Sequence, residues 1–113
     1  MIGVLVMAYG GPNTLDEVEP YLMDVRGYRP TAPEIIHEVR ERYRKIGGSS
    51  PILEQTQAQA DALEAALNTS DKDFKVFVGM RHWHPYIKDT LAKMHSQGIE
   101  RAIGLVMAPH YSR

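Results

Sequence analysis

Three nearly continuous apolar runs limit what this chain can fold into more than any other feature. They occupy residues 2–8 (IGVLVMA), 74–80 (FKVFVGM) and 102–108 (AIGLVMA). A strand with one wet face alternates apolar and polar side chains. These runs do not alternate, so each predicts a strand buried on both faces, as in a parallel sheet. Helical patterns separate them. Thr14 is placed to cap a helix whose first turn carries Asp16 and Glu17. Residues 33–46 open on Pro33, set Ile35, Ile36, Val39, Tyr43 and Ile46 on one side, and stop at Gly47 and Gly48. Residues 51–67 start on a second proline, and residues 85–96 form a fourth pattern that stops near Gly98. The order is strand, three helices, strand, helix, strand. It predicts an α/β fold, a flavodoxin-like parallel sheet with right-handed helical crossovers, strand one central and a 2-1-3 order.

The 113 residues are one domain's worth, 43% hydrophobic and 24% charged. A net charge of -1 argues against nucleic acid as a partner. There is no cysteine, which excludes a disulfide framework and a thiolate metal site and suits a reducing cytoplasm. The apolar N-terminal run is too short to span a membrane and lacks the basic start of a signal peptide. The third strand runs out at Pro109, four residues before Arg113. Three strands with two open edges predict a lobe that needs more protein around it.

Open α/β sheets bind ligands beyond the carboxyl ends of their strands. Strand one is followed by Tyr9, Gly10, Gly11 and Pro12. Strand two is followed by Arg81, His82, Trp83, His84 and Pro85, and strand three by Pro109, His110 and Tyr111. Tyrosines and histidines therefore gather on one rim, where they could handle protons or a metal. Each feature also has a plainer reading. Tyr9 to Pro12 makes a tight turn, and is neither a dinucleotide fingerprint nor a phosphate loop. His82 and His84 are two apart, which is not the helical spacing of a zinc hydrolase. His37 and His95 fall within helical patterns and read as ordinary surface groups. The segment Gly47 to Pro51 is either a helix stop followed by a cap, or an anion site at a helix N-terminus near Arg42.

The stretches VMAYGGP, RYRKIGGSSPI, GMRHWHPYI and MAPHYS, in that order and spacing, resemble ferrochelatases over essentially all 113 residues. The resemblance implies haem biosynthesis, with ferrous iron inserted into a porphyrin. Residues 1–113 would be the N-terminal lobe of a two-lobed fold, with the porphyrin in the cleft between lobes. Iron is then a substrate, and no organic cofactor is implied. The catalytic histidine and glutamate of the family would lie in the second lobe, so no catalytic residue is expected in these 113. Tyr9 takes the place of an axial oxygen ligand to the porphyrin iron. Arg26 and Arg42 would hold propionates, with Tyr43 and Ser50 completing that site. Pro12 and Val25 would offer apolar contact, and Arg81, His82 and His110 are further cleft candidates. Tyrosine at position 9 resembles the bacterial enzymes that act on coproporphyrin III, with protoporphyrin IX the alternative substrate. A cytoplasmic location is expected. A flavodoxin-like binding module and a half-size homodimeric chelatase, with a second copy as partner, are the competing readings.

Overall fold

A computed structural model describes residues 1–71 and 73–108. Its strands are β1 (Ile2–Ala8), β2 (Phe74–Met80) and β3 (Arg101–Val106). Its helices are α1 (Val18–Val25), α2 (Pro33–Lys45), α3 (Ile52–Leu67) and α4 (Ile87–Ser96), with a short 3-10 turn, Leu15–Glu17, leading into α1. The three strands pair in parallel in the order β2-β1-β3. Ile2 stands opposite both Phe74 and Arg101, so all three strands start level and end on one rim. The expected sheet is the one observed.

The pleat sends alternate residues of β1 to opposite faces. Val4, Val6 and Ala8 join Val78, Met80 and Ala60 of α3 in one buried cluster. Leu5 joins Phe77, Met94 of α4 and Ile99 in the other. Each Val, Leu, Ile, Phe or Met among them, fully buried, contributes on the order of 1.5–3 kcal/mol. Glycine lets α4 approach closely: a Cβ on Gly3 would stand 2.6 Å from the Met94 side chain, and one on Gly79 3.1 Å from the Ile87 Cα.

Two expectations need correction. The third run is not buried on both faces: β3 is exposed along its whole length, with Ile103 54% exposed. It is an edge strand beside β1, and no described helix covers it. The stripe on α2 lies away from the sheet core. Ile36, Val39 and Tyr43 are half-buried while Ile35 and Ile46 are exposed, because α2 packs on α1 and the 3-10 turn rather than on a strand. Thr14 makes no side-chain cap. Glu17 Oε1 accepts from the Asn13 N–H, ahead of the helix, at 2.9 Å. No described helix is long and apolar enough to cross a membrane.

Candidate functional site

The rim is assembled by backbone bonds between the segments that follow β1 and β2. The Arg81 N–H donates to the Ala8 carbonyl at 2.9 Å and the His82 N–H to the Tyr9 carbonyl at 3.0 Å. Parallel pairing thus continues one step past the sheet and sets Tyr9 beside His82. Their rings meet edge-on, 4.7 Å apart at 61°. Tyr9 is 43% exposed. It borders a shallow cavity of about 250 Å³ shared with Arg81, Ile87 and Val106.

Gly10 and Gly11 are required by what crosses above them. Gly10 has φ +96, and a Cβ there would lie 3.1 Å from the Trp83 nitrogen. A Cβ on Gly11 would lie 2.5 Å from Ser50 Oγ. The absence of side chains lets the segment entering α3 lie directly on the turn after β1. The Ser50 N–H then donates to the Pro12 carbonyl at 2.8 Å. Ser50 Oγ accepts the Ile52 N–H at 3.3 Å, so the capping reading of this segment is present in the fold. Pro12 is fully buried and acts as that structural tie. It offers no apolar surface to a ligand, contrary to expectation.

Below the rim lies a polar network that the sequence reading missed. His82 Nδ1 is 2.8 Å from Asp24 Oδ1, and the Tyr86 hydroxyl donates to Asp24 Oδ2 at 2.8 Å. Burial pushes the Asp24 carboxyl up, but its bonds with His82 and Tyr86 outweigh that and hold it below the usual range. Burial, and then the bond to Asp24, push the Tyr86 phenol up to about 12. The Trp83 indole N–H donates to Glu17 Oε1 at 2.7 Å. Trp83 itself is buried among the rings of Tyr21, His84 and Tyr86. Tyr21 donates to the Gly10 carbonyl at 3.2 Å. Burial first, then the neighbouring phenols of Tyr43 and Tyr9, push its pKa well above the ordinary value. Burial also raises that of Tyr43. No local pattern marks Asp24, which is 58 positions from His82.

The arginines differ from one another. Arg26, just past α1, has a buried Nε with no hydrogen-bond partner among the described residues. Arg42 is exposed and pairs with Glu38 at 2.7 Å. Val25 and Tyr43 are half-buried, and Arg81 and His84 are exposed. His110 lies outside the described residues, as do Pro109 and Tyr111. Among the described residues no group of three or more His, Asp and Glu side chains converges to hold a metal ion.

Comparison with known proteins assigns the chain to a family. The ferrochelatase family model matches residues 1–113. The chain belongs to the ferrochelatase family. It is 47% identical over 111 residues to the ferrochelatase of Deinococcus radiodurans, covering 98% of this chain and 35% of that protein. It is 46% identical over 113 residues to the coproporphyrin III ferrochelatase of Oceanobacillus iheyensis, covering 98% of this chain and 36% of that protein. It is also 47% identical over 114 residues to the coproporphyrin III ferrochelatase of Listeria monocytogenes, covering 98% of this chain and 37% of that protein. The chain therefore spans about a third of the length of the curated ferrochelatases it matches.

Proposed function

We propose that these 113 residues form one wall of a porphyrin cleft in an enzyme of haem biosynthesis that inserts ferrous iron into coproporphyrin III. The observation that carries the reading is the Arg26 guanidinium, whose buried Nε has no partner. A buried cationic donor left unpaired is costly, and a ligand carboxylate satisfies it with a charge-assisted bond. Arg26 closes the helix that holds Asp24, and Asp24 touches the rim at His82. The names of the Oceanobacillus and Listeria relatives favour coproporphyrin III over protoporphyrin IX.

Insertion requires that the iron shed water, that two pyrrole N–H protons leave, and that the flat ring buckle. Propionate binding by Arg26, and by Arg42, Tyr43 and Ser50, would supply remote binding energy that can be applied to that distortion. Arg42 would exchange its exposed pairing with Glu38 for a propionate. Tyr9 would face the metal from this wall, since a phenol oxygen is a suitable hard ligand for iron. The relatives are about three times longer, so the opposite wall and the base for the pyrrole protons belong to the remainder of such a protein. Residues 1–113 alone would then leave the site open to water and insert no iron.

The test measures iron insertion into coproporphyrin III and into protoporphyrin IX by the full-length protein and by residues 1–113. Insertion by the full-length protein alone, faster with coproporphyrin III, is the expected result. Equal turnover by the 113 residues as monomers would remove the one-wall reading, and faster reaction with protoporphyrin IX would remove the substrate assignment.

A further inference from the structure

Asp24 joins two parts of the rim that are far apart in sequence. It lies in the last turn of α1, while both of its partners, His82 and Tyr86, follow β2. The Asp24 and His82 side chains are only 16% and 15% exposed, so this is not a loose surface pair. Both carboxylate oxygens are engaged at 2.8 Å, one by a ring nitrogen and one by a phenol. An ionised carboxylate only accepts, so the nitrogen facing it must carry the hydrogen. A neutral imidazole has one N–H, and the other nitrogen is then an acceptor. Among the described residues no group hydrogen-bonds His82 Nε2. The same ring lies edge-on to Tyr9 at 4.7 Å.

We propose that Asp24 is a positioning residue: it holds His82 as the Nδ1–H tautomer against the ring of Tyr9. Nε2 is left at the rim as a hydrogen-bond acceptor for an N–H or O–H donor of the bound ligand. Asp24 thereby acts on Tyr9 through His82 and touches no ligand itself. Tyr86 donates to the second carboxylate oxygen and leaves Oδ1 to His82. The tautomer stands independently of what binds, whereas the link from Asp24 to a porphyrin-facing Tyr9 rests on the function proposed above.

Two readouts separate these parts. The first is the nitrogen-15 spectrum of the histidine rings in ligand-free, full-length protein at mildly alkaline pH. His82 is expected to show a protonated Nδ1 and an unprotonated Nε2. Asp24→Ala should move the tautomer ratio toward Nε2–H by on the order of tenfold, the bias a charge-assisted bond supplies. Tyr86→Phe keeps the Nδ1 acceptor and should leave the tautomer unchanged. Should the alanine variant not fold, Asp24→Asn keeps the shape; its amide can donate to Nδ1, so the Nε2–H share should rise. An Nε2–H ring in the unaltered protein, or a ratio indifferent to Asp24, overturns the proposal. The second readout is the absorption spectrum of bound ferric coproporphyrin. Asp24→Ala should shift it in the same direction as Tyr9→Phe, while Tyr86→Phe should not. A tautomer that switches while this spectrum stays put overturns the link to Tyr9. Failure to bind any porphyrin sinks the functional reading while the tautomer result remains.

Discussion

The two halves of the rim are built differently. On the α1 and β2 side, Asp24, Glu17, Trp83 and Tyr86 satisfy one another with bonds of 2.7–2.8 Å beneath a buried indole. On the α2 and α3 side, Arg42 and Ile46 are exposed, and among the described residues Arg42 is engaged only by Glu38, one turn away on its own helix. The first half is organised before any ligand arrives. The second holds groups whose present partners are local and exchangeable. Under the proposed function the site positions one residue and grips a charged substrate elsewhere, and it needs both, because pre-organisation lowers the cost of binding and exposed cations remain free to meet an anion.

This contrast can be broken by substitution. The largest effect is expected from Trp83→Ala, which empties the aromatic cluster and removes the indole N–H from Glu17. It should destabilise the fold by about 3–5 kcal/mol in denaturant unfolding. A loss below about 1 kcal/mol would mean that the first half is not pre-built. Gly11→Ala is next, at about 1–3 kcal/mol, because the added methyl meets Ser50 Oγ and Cβ. Arg26→Ala should weaken coproporphyrin binding in the full-length protein by about 1.5–3 kcal/mol, the range for a charge-assisted bond. Unchanged affinity in a calorimetric titration would remove the propionate from Arg26. Arg42→Ala should change folding stability by no more than about 0.5 kcal/mol, since its pair is exposed and within one helix. Its effect should appear in porphyrin affinity, and a large stability loss would erase the difference between the halves.

The pH dependence sharpens the same comparison. The Tyr86 phenol is raised to about 12 in the folded protein, against about 10 in an unfolded chain. The stability it contributes is therefore complete below about pH 10 and is lost as pH rises through about 12. The Asp24 carboxyl is lowered on folding, so its contribution is present above its unfolded pKa and is lost as pH falls through the folded one. Tyr86→Phe should flatten the alkaline limb of a stability profile followed by tyrosinate absorbance. An alkaline limb identical in the variant would show that Tyr86 is not held by Asp24.

Much of this was legible in the residues themselves. The bounds of β1 and β2 coincide with apolar runs because a strand covered on both faces tolerates almost no polar side chain. The 2-1-3 order follows from alternating strands and helices and the handedness of crossovers. The rim carrying Tyr9 and His82 follows from the rule that ligands sit beyond parallel strand ends. Other features were decided only in three dimensions. The run at β3 has the composition of a buried strand, yet whether it is covered depends on what packs against it, which composition does not encode. Pro12 reads as a cleft contact until Ser50 is seen to close over the turn. Asp24 has no local signature, since its partners are 58 and 62 positions away and meet it only after the long β1-to-β2 crossover brings α1 and the end of β2 together. Periodicity reports which face a residue turns inward, because that is set by its immediate neighbours. Which loop residues touch depends on where whole elements stop, and that is determined by packing over the entire sheet.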